Sequence, residues 1–318
     1  MTRLPRYDQH PSWHRYRALL AERLGCTIAT APRERALSWE GHDVHLDEWP
    51  ARGPTRGAVI LVHGGGGHGR LLAPLGDALG RRGYRCIAPD LPAFGLTRTR
   101  PGWRADYADW PRLVADLARA EPRPVALFGL SMGGMTAVFA SQQAPVDAVV
   151  ATTLLELARP ADFRRAARHP WLGALSQVAF ATLGGALDGL ALALAWVAPL
   201  RALTADAELA TYFATDRLLG RRRVPLGFWR TAVAYRAPLA CPVPFALFHP
   251  GADTWTPTSL SRGPFERLDA PEKRFRELSG GAHAPFEAPV LAELVDATDA
   301  FLGEVFEGQG RNRKCRRS

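Results

Sequence analysis

The sequence feature that most constrains the fold is Gly129-Leu130-Ser131-Met132-Gly133, which joins the apolar run Val125–Phe128 to an Ala-rich segment. A serine with glycines two residues before and two residues after it, between a strand and a helix, predicts a turn too sharp for larger side chains. Such a turn strains the serine backbone and projects its hydroxyl above the sheet. It also puts the positive end of the helix beneath that hydroxyl. We therefore interpret Ser131 as a nucleophile.

Short apolar runs alternate with helical segments along most of the chain. Ala58–Val62 is continuously apolar, as expected for a parallel strand buried on both faces. The predicted strands are Arg35–Trp39, Val44–Trp49 (joined to the first by the turn Glu40-Gly41-His42), Ala58–Val62, Arg85–Pro89, Pro124–Phe128, Asp147–Thr152, Val243–His249 and Arg274–Leu278. The predicted helices are 12–25, Arg70–Arg82, Asp106–Ala120, Met132–Gln143 and Val290–Leu302. This alternation predicts an α/β fold with a mostly parallel sheet flanked by helices and right-handed crossovers.

The alternation is interrupted once, between residues 157 and 240. This segment is rich in Ala, Leu and Arg at helical spacing and shows no convincing strand, so we expect a helical lid inserted before the last two strands. Such a lid would cover the carboxyl ends of the strands, where open α/β sheets bind ligands; a separate helical domain is the alternative. Within the segment, Trp171–Leu200 has the length of a membrane span and only Asp188 as a charge. Interior glycines favour a buried or substrate-facing helical pair instead.

A serine hydroxyl needs a base, and His283 is the best-placed histidine, in the loop after the last predicted strand. The base in turn needs a carboxylate that orients the imidazole. Asp253 follows the strand Val243–His249 and gives the chain order Ser, Asp, His. Glu156, just after an earlier strand, is the rival acid.

The negative charge that develops during acyl transfer needs two N–H donors. Met132 supplies one, and the glycine loop after Ala58–Val62 supplies the other, with Gly65 the first choice and Gly66 the second. Glycines let a backbone amide approach a bound carbonyl closely.

The same loop allows a different interpretation. Gly64–Gly69 satisfies the spacing of a dinucleotide-binding loop, and Asp90 follows at the distance of a ribose ligand. A run of glycines meets that pattern almost automatically, so we favour the oxyanion role. We expect His63 to hydrogen-bond the loop and His68 to face the pocket.

The formal charge of +9 and pI near 10.0 raise the possibility of nucleic-acid binding. The cations are scattered arginines with only two lysines, and the one dense run, Arg311–Arg317, lies at the terminus, so we expect no nucleic-acid partner. Arg221–Arg223 is interpreted as a solvated charge run, with recognition of an acidic group as the alternative. Four cysteines without metal-ligand spacing (Cys26, Cys86, Cys241 and Cys315) and no apolar signal-peptide core favour a reducing cytoplasm.

Together these segments resemble the α/β-hydrolase superfamily, especially bacterial esterase and lysophospholipase-like enzymes. The matching segments are Val62-His63-Gly64-Gly65, Ala88–Gly95, Gly129–Gly134, Gly251-Ala252-Asp253 and Gly281-Ala282-His283, within about 55–155 and 240–303. Serine at position 131 disfavours the dehalogenases and epoxide hydrolases of the superfamily, which carry Asp there. Ala93 replaces a common glycine, a departure that affects only loop shape.

The resemblance implies a carboxylic ester hydrolase that forms an acyl-enzyme at Ser131 and needs no metal or organic cofactor. The apolar stretch Leu172–Leu200 of the lid suggests a small-molecule substrate, an apolar ester with an acyl or aryl group, and lid core packed on the sheet is the alternative interpretation of that stretch. A carbon–carbon bond hydrolase or acyltransferase with the same triad, and a non-catalytic ligand-binding protein, are the alternatives. The predicted organisation is 1–54 (N-terminal helix and first strands), 55–156 (first part of the hydrolase core), 157–240 (lid), 241–306 (second part of the core) and 307–318 (basic disordered tail).

Overall fold

The computed structural model describes residues 4–315 as ten strands and eleven α-helices. The strands are β1 Arg33–Trp39, β2 His42–Trp49, β3 Gly57–Val62, β4 Tyr84–Pro89, β5 Val125–Gly129, β6 Ala148–Ala151, β7 Ala191–Ala193, β8 Arg223–Pro225, β9 Phe245–His249 and β10 Lys273–Glu277. The helices are α1 Pro11–Leu24, α2 Ala73–Arg81, α3 Asp109–Ala120, α4 Met132–Ser141, α5 Pro160–Ala166, α6 Pro170–Leu183, α7 Leu194–Val197, α8 Ala207–Thr215, α9 Leu226–Ala234, α10 Thr258–Arg267 and α11 Ala288–Cys315.

Eight strands form one sheet in the order β1-β2-β4-β3-β5-β6-β9-β10. β2 pairs antiparallel with both β1 and β4, and the other neighbours are parallel. All residues of β3, β5, β6 and β9 are buried, as their unbroken apolar runs predict for strands covered on both faces. The eight strands predicted from the sequence are therefore confirmed, with their ends shifted by at most two residues.

The segment 157–240, called here the inserted segment, lies between β6 and β9 and contains α5 to α9. It also contains a small antiparallel pair, β7 with β8, where the sequence predicted no strand. Three residues are too few to show strand periodicity, which explains the error. The expected helical pair over Trp171–Leu200 is also only partly correct. The helix α6 ends at Leu183, the next residue, Gly184, has a φ of +52°, and a 3-10 turn, β7 and α7 follow. Within residues 4–315, no helix is both long and apolar enough to span a bilayer.

The C-terminal helix α11 extends to Cys315, well beyond the predicted end at Leu302. The segment predicted as a disordered tail from residue 307 is thus helical in its backbone as far as 315, while 316–318 lie outside the described residues. Its Glu, Gln, Arg and Lys residues are good helix formers, and Gly308 and Gly310 lower helix propensity without ending the helix.

Candidate active site

Ser131 lies in the sharp connection between β5 and α4. Its φ of +58° and ψ of −129° depart from the conformations that side-chain-bearing residues prefer. The flanking glycines permit this turn, since a Cβ at Gly129 would lie 2.2 Å from the Gly133 carbonyl oxygen, and one at Gly133 would lie 2.2 Å from the Val62 carbonyl oxygen. Packing thus imposes the strained backbone that the motif predicts.

The structure brings the three predicted side chains together in series. His283 Nε2 lies 2.6 Å from Ser131 Oγ, and His283 Nδ1 lies 2.7 Å from Asp253 Oδ2. His283 and Asp253 are buried, whereas Ser131 keeps partial exposure towards the cavities described below. The Trp255 ring packs against the imidazole with 4.6 Å between ring centroids. This hydrogen-bonded order is the one that the sequence predicts for a nucleophile, a base and an orienting acid.

Thr256 is a site residue that the sequence reasoning missed. Its hydroxyl donates to Asp253 Oδ2 at 2.6 Å, and its Oγ1 lies 2.9 Å from His283 Nδ1. The backbone N–H groups of Trp255 and Thr256 donate to Asp253 Oδ1 at 2.9 and 2.8 Å. The sequence signal that could have identified Thr256 is its position three residues after Asp253, since an aspartate in a turn often hydrogen-bonds the residues that follow it.

These contacts keep Asp253 ionised. Burial acts to raise the pKa of its carboxyl, but the electrostatic interaction with His283 and the hydrogen bonds from His283 and Thr256 outweigh burial and lower the pKa below the ordinary value of 3.8. An ionised carboxylate against Nδ1 fixes the tautomer that leaves Nε2 free to accept the serine proton.

The rival acid, Glu156, is engaged elsewhere. Its carboxylate is hydrogen-bonded to Arg267 and lies 3.6 Å from the Arg159 guanidinium. The position next to His283 Nδ1 is therefore held by Asp253 and not by Glu156.

The two predicted oxyanion donors, Gly65 and Met132, border the same cavity as Ser131. Met132 begins α4, so its N–H has no partner within the helix. No hydrogen bond among the described residues uses the Gly65 N–H, and a Cβ there would lie 3.0 Å from Met132 Sδ. Gly66, the second choice, has a φ of +115° and packs towards Leu200.

Two cavities meet at Ser131. The larger, of about 290 Å³, is walled mainly by apolar side chains of the inserted segment: Phe163, Leu172, Phe180, Trp196, Leu226 and Trp229. The smaller, of about 40 Å³, is lined by the glycine loop together with Leu71, Leu203, Phe213 and Phe286. The inserted segment thus forms the wall of the space above the serine, and that wall is largely free of charge.

Comparison with known proteins agrees with this geometry. A sequence model described as "Alpha/beta hydrolase family" matches residues 59–296. The chain belongs to the α/β-hydrolase family. Pimeloyl-[acyl-carrier protein] methyl ester esterase from Chromobacterium violaceum is 29% identical to this hydrolase over 238 residues, which cover 72% of this chain and 87% of the esterase.

The chain is also similar to part of one further curated protein and to almost the whole of one solved structure. The magnesium-chelatase 30 kDa subunit of Rhodobacter capsulatus is 34% identical over 109 residues, which cover 33% of this chain and 36% of that protein. A soluble variant of monoglyceride lipase from Saccharomyces cerevisiae, solved with a substrate analog, superposes with a TM-score of 0.71 at 17% identity, covering 87% of this chain and 97% of the lipase. At that identity the structural likeness shows the α/β-hydrolase fold alone.

The histidines of the glycine loop have structural positions in this α/β hydrolase. His63 Nδ1 donates to the Gly64 carbonyl at 2.8 Å, its Nε2 accepts from the Leu91 N–H at 3.0 Å, and burial lowers its pKa to about 4. His63 therefore holds the loop, as predicted. His68 was expected to face the pocket, but its buried ring stacks on Tyr7 at 4.9 Å and borders neither cavity at Ser131.

Asp90, the candidate ribose ligand, is fully buried and committed to the protein. Its Oδ1 accepts from the Gly69 N–H at 2.7 Å, and its Oδ2 accepts from the Leu96 N–H at 2.6 Å and the Tyr7 hydroxyl at 2.8 Å. A side chain that anchors three separate segments of the chain is not available to a nucleotide. The dinucleotide interpretation therefore has no support in the hydrolase fold.

A cluster of acidic residues and a histidine away from Ser131 has the spacing of a metal site, but an arginine side chain already occupies it. One ligand atom from each of Glu34, His45 and Asp47 lies within 4.8 Å of the others. The buried Arg70 guanidinium, however, makes two hydrogen bonds of 2.7 and 2.8 Å to Asp47 and lies 3.3 Å from Glu34. Arginine supplies the positive charge there, so we assign no metal to the cluster.

The run Arg221–Arg223 meets backbone carbonyls. Arg222 donates to the Ala93 carbonyl at 3.0 Å and Arg223 to the Ala191 carbonyl at 2.6 Å, while Arg221 is exposed.

Ala93 itself has a φ of +79°, in a turn closed by a 3.0 Å hydrogen bond from the Phe94 N–H to the Leu91 carbonyl. Turns with this conformation usually place glycine at the third position, so the alanine introduces local strain.

Proposed function

We propose that this α/β hydrolase cleaves carboxylic esters through an acyl-enzyme formed on Ser131. The observation that carries the proposal is the 2.6 Å separation of Ser131 Oγ from His283 Nε2, with Asp253 on the other ring nitrogen at 2.7 Å. A hydroxyl in hydrogen-bond reach of an oriented, buried imidazole is an activated nucleophile.

In the first half-reaction, Ser131 Oγ attacks the ester carbonyl carbon while its proton moves to His283 Nε2. The N–H groups of Gly65 and Met132 donate to the oxyanion of the tetrahedral intermediate. The bond to the leaving oxygen then breaks, and the His283 proton passes to the departing alkoxide. The products of this step are an alcohol and an acyl-enzyme.

In the second half-reaction, His283 takes a proton from water, whose oxygen attacks the acyl carbon. Collapse of the second intermediate returns the proton to Ser131 Oγ and releases the acid. Asp253 stabilises the imidazolium in both halves, and Thr256 keeps the carboxylate oriented towards Nδ1. Every proton lost is regained, so the cycle needs no cofactor.

The substrate class follows from the cavity walls and the relatives. An apolar cavity of about 290 Å³ beside the serine suits a long aliphatic or aryl group, since burial of each CH2 contributes about 0.8 kcal/mol. The name of one relative, a methyl ester esterase, supports an ester. We infer that the inserted segment is a lid that selects an apolar ester.

The test is hydrolysis of p-nitrophenyl esters of increasing acyl length by the wild-type protein, Ser131→Ala and His283→Ala. Both variants should fall to near background with unchanged circular dichroism. Ser176→Ala is the matched control, because Ser176 borders the same cavity outside the hydrogen-bonded series. Wild-type turnover by Ser131→Ala would reject the assignment.

The same assay distinguishes hydrolysis from acyl transfer. Added alcohols and amines are competing acceptors for the acyl group, and products are identified by mass spectrometry. Release of free acid in their presence supports hydrolysis, whereas dominant transfer to the added acceptor identifies an acyltransferase with the same nucleophile.

A further inference from the structure

The surface of the inserted segment carries an unusual amount of exposed apolar side chain. Among the described residues, the large hydrophobic side chains with about half or more of their surface exposed all belong to this segment. They are Trp171 (64%), Leu175 (59%), Val178 (60%), Leu183 (51%), Leu190 (50%) and Trp196 (62%). Scattered exposed hydrophobic residues are ordinary, but their concentration in one segment marks an interaction surface.

Three of these residues share one face of α6. Trp171, Leu175 and Val178 follow the spacing i, i+4, i+7, which puts them in one line along the helix. The helix has no charged residue in its fourteen positions, and Leu172 and Phe180 on its other side border the large cavity. The three aligned apolar side chains of the outer face are exposed and have no apolar covering from the described part of the protein.

The neighbouring surface is basic. Arg164, Arg165 and Arg168 lie at or next to α5, which packs against α6, and all three are exposed. No carboxylate in the described part of the chain forms an ion pair with any of them. The inserted segment as a whole has eleven arginines against five acidic residues, so it holds +6 of the formal +9.

We propose that the outer face of α6 (Trp171, Leu175 and Val178), with Trp196 and the three arginines beside it, docks on an anionic lipid surface. A helix lying in the bilayer interface buries its apolar side chains below the headgroups, while arginines contact lipid phosphates and tryptophans occupy the boundary. Membrane anions complement the unpaired arginines. A second copy of the chain does not, because a two-fold contact through this face brings the two sets of arginines together.

The position of α6 relates the proposed docking surface to the cavity at Ser131. The helix separates the proposed lipid surface from the cavity that reaches Ser131, with Leu172 and Phe180 on the cavity side. Docking on this face therefore puts the bilayer and the cavity on opposite sides of one helix. The docking itself depends only on surface residues, so it is tested independently of the chemistry at Ser131.

The experiment is flotation of the full chain with phosphatidylcholine vesicles, with and without phosphatidylglycerol. Wild-type protein should float with the anionic vesicles. The triple variant Trp171→Ser, Leu175→Ser, Val178→Ser should bind more than tenfold more weakly. The triple variant Arg164→Gln, Arg165→Gln, Arg168→Gln should lose about fivefold per arginine, on the order of a hundredfold in total.

The matched control removes three other arginines outside the inserted segment. Arg33, Arg52 and Arg262 are exposed and make no ion pair among the described residues, so changing them to Gln removes the same charge and should leave vesicle binding within about threefold of wild type. All substituted side chains are on the surface, so the folds should be preserved, which thermal melting checks. Equal binding by wild type and both test variants overturns the proposal. So does sedimentation velocity that finds a lipid-free wild-type dimer converted to monomer by the serine variant, because the face is then an interface between copies.

Discussion

Substitution of Gly64 by alanine is the smallest change that should disable the site. An added Cβ would lie 2.7 Å from Ser131 Cβ, 3.1 Å from the Leu130 carbonyl oxygen and 3.2 Å from Ser131 Oγ. Non-bonded carbons rest about 3.5–4.0 Å apart, so the loop and the serine must separate by roughly 1 Å. A displacement of about 1 Å at a reacting centre lowers the rate by about 100-fold. We expect Gly64→Ala to lower kcat/KM by about that factor and to destabilise the fold by roughly 1–3 kcal/mol.

Gly67→Ala is the matched control in the same loop. A Cβ at Gly67 has its nearest neighbours at 3.5 Å, an ordinary contact, and neither glycine has a positive φ. The two variants therefore differ mainly in contact with Ser131. The assay is p-nitrophenyl ester turnover together with thermal melting. Activity of Gly64→Ala within twofold of wild type, or an equal loss in Gly67→Ala, would refute the reasoning.

Three further predictions concern stability, each measured by urea-induced unfolding. Thr256→Val should lower the unfolding free energy by about 1.5–3 kcal/mol at pH 7, since it removes a hydrogen bond to an ionised carboxylate. Because the folded pKa of Asp253 lies below 3.8, this difference is present above pH 3.8 and should shrink as the pH falls through the folded pKa. Arg70→Met should cost about 3–5 kcal/mol by removing the guanidinium that pairs with the buried Asp47 carboxyl group. Ala93→Gly should stabilise by about 0.5–1 kcal/mol, because relief of the positive-φ strain exceeds the entropic cost of glycine; unchanged stability contradicts it.

The sheet could be predicted because its signals are strong and local. Strands buried on both faces are apolar throughout, and the turn at Ser131 tolerates only glycine at two positions, so sequence and geometry are tightly linked. His283 and Asp253 could be named because each follows a recognisable strand, and the hydrogen-bonded series depends on those strand ends meeting at one edge. Their chemical roles, like the cytoplasmic location and the domain boundaries, are still predictions.

The features that sequence reasoning missed depend on tertiary contacts. Thr256 looks like any turn residue until Asp253 and His283 converge on its hydroxyl. The helix α10 contains Gly263 and Pro264 and has no clear apolar stripe, so its sequence argues against a helix that packing on the sheet nevertheless stabilises. His68 carries a polar ring, but Tyr7, sixty-one residues earlier, provides the stacking surface that buries it.

The central claim is that His283 activates Ser131, and covalent labelling with a fluorophosphonate tests it without knowledge of the substrate. Peptide mass spectrometry should find one label per chain, on Ser131, in the wild-type protein, and almost none in His283→Ala. An unlabelled Ser131, or labelling that proceeds equally fast in His283→Ala, would contradict the account.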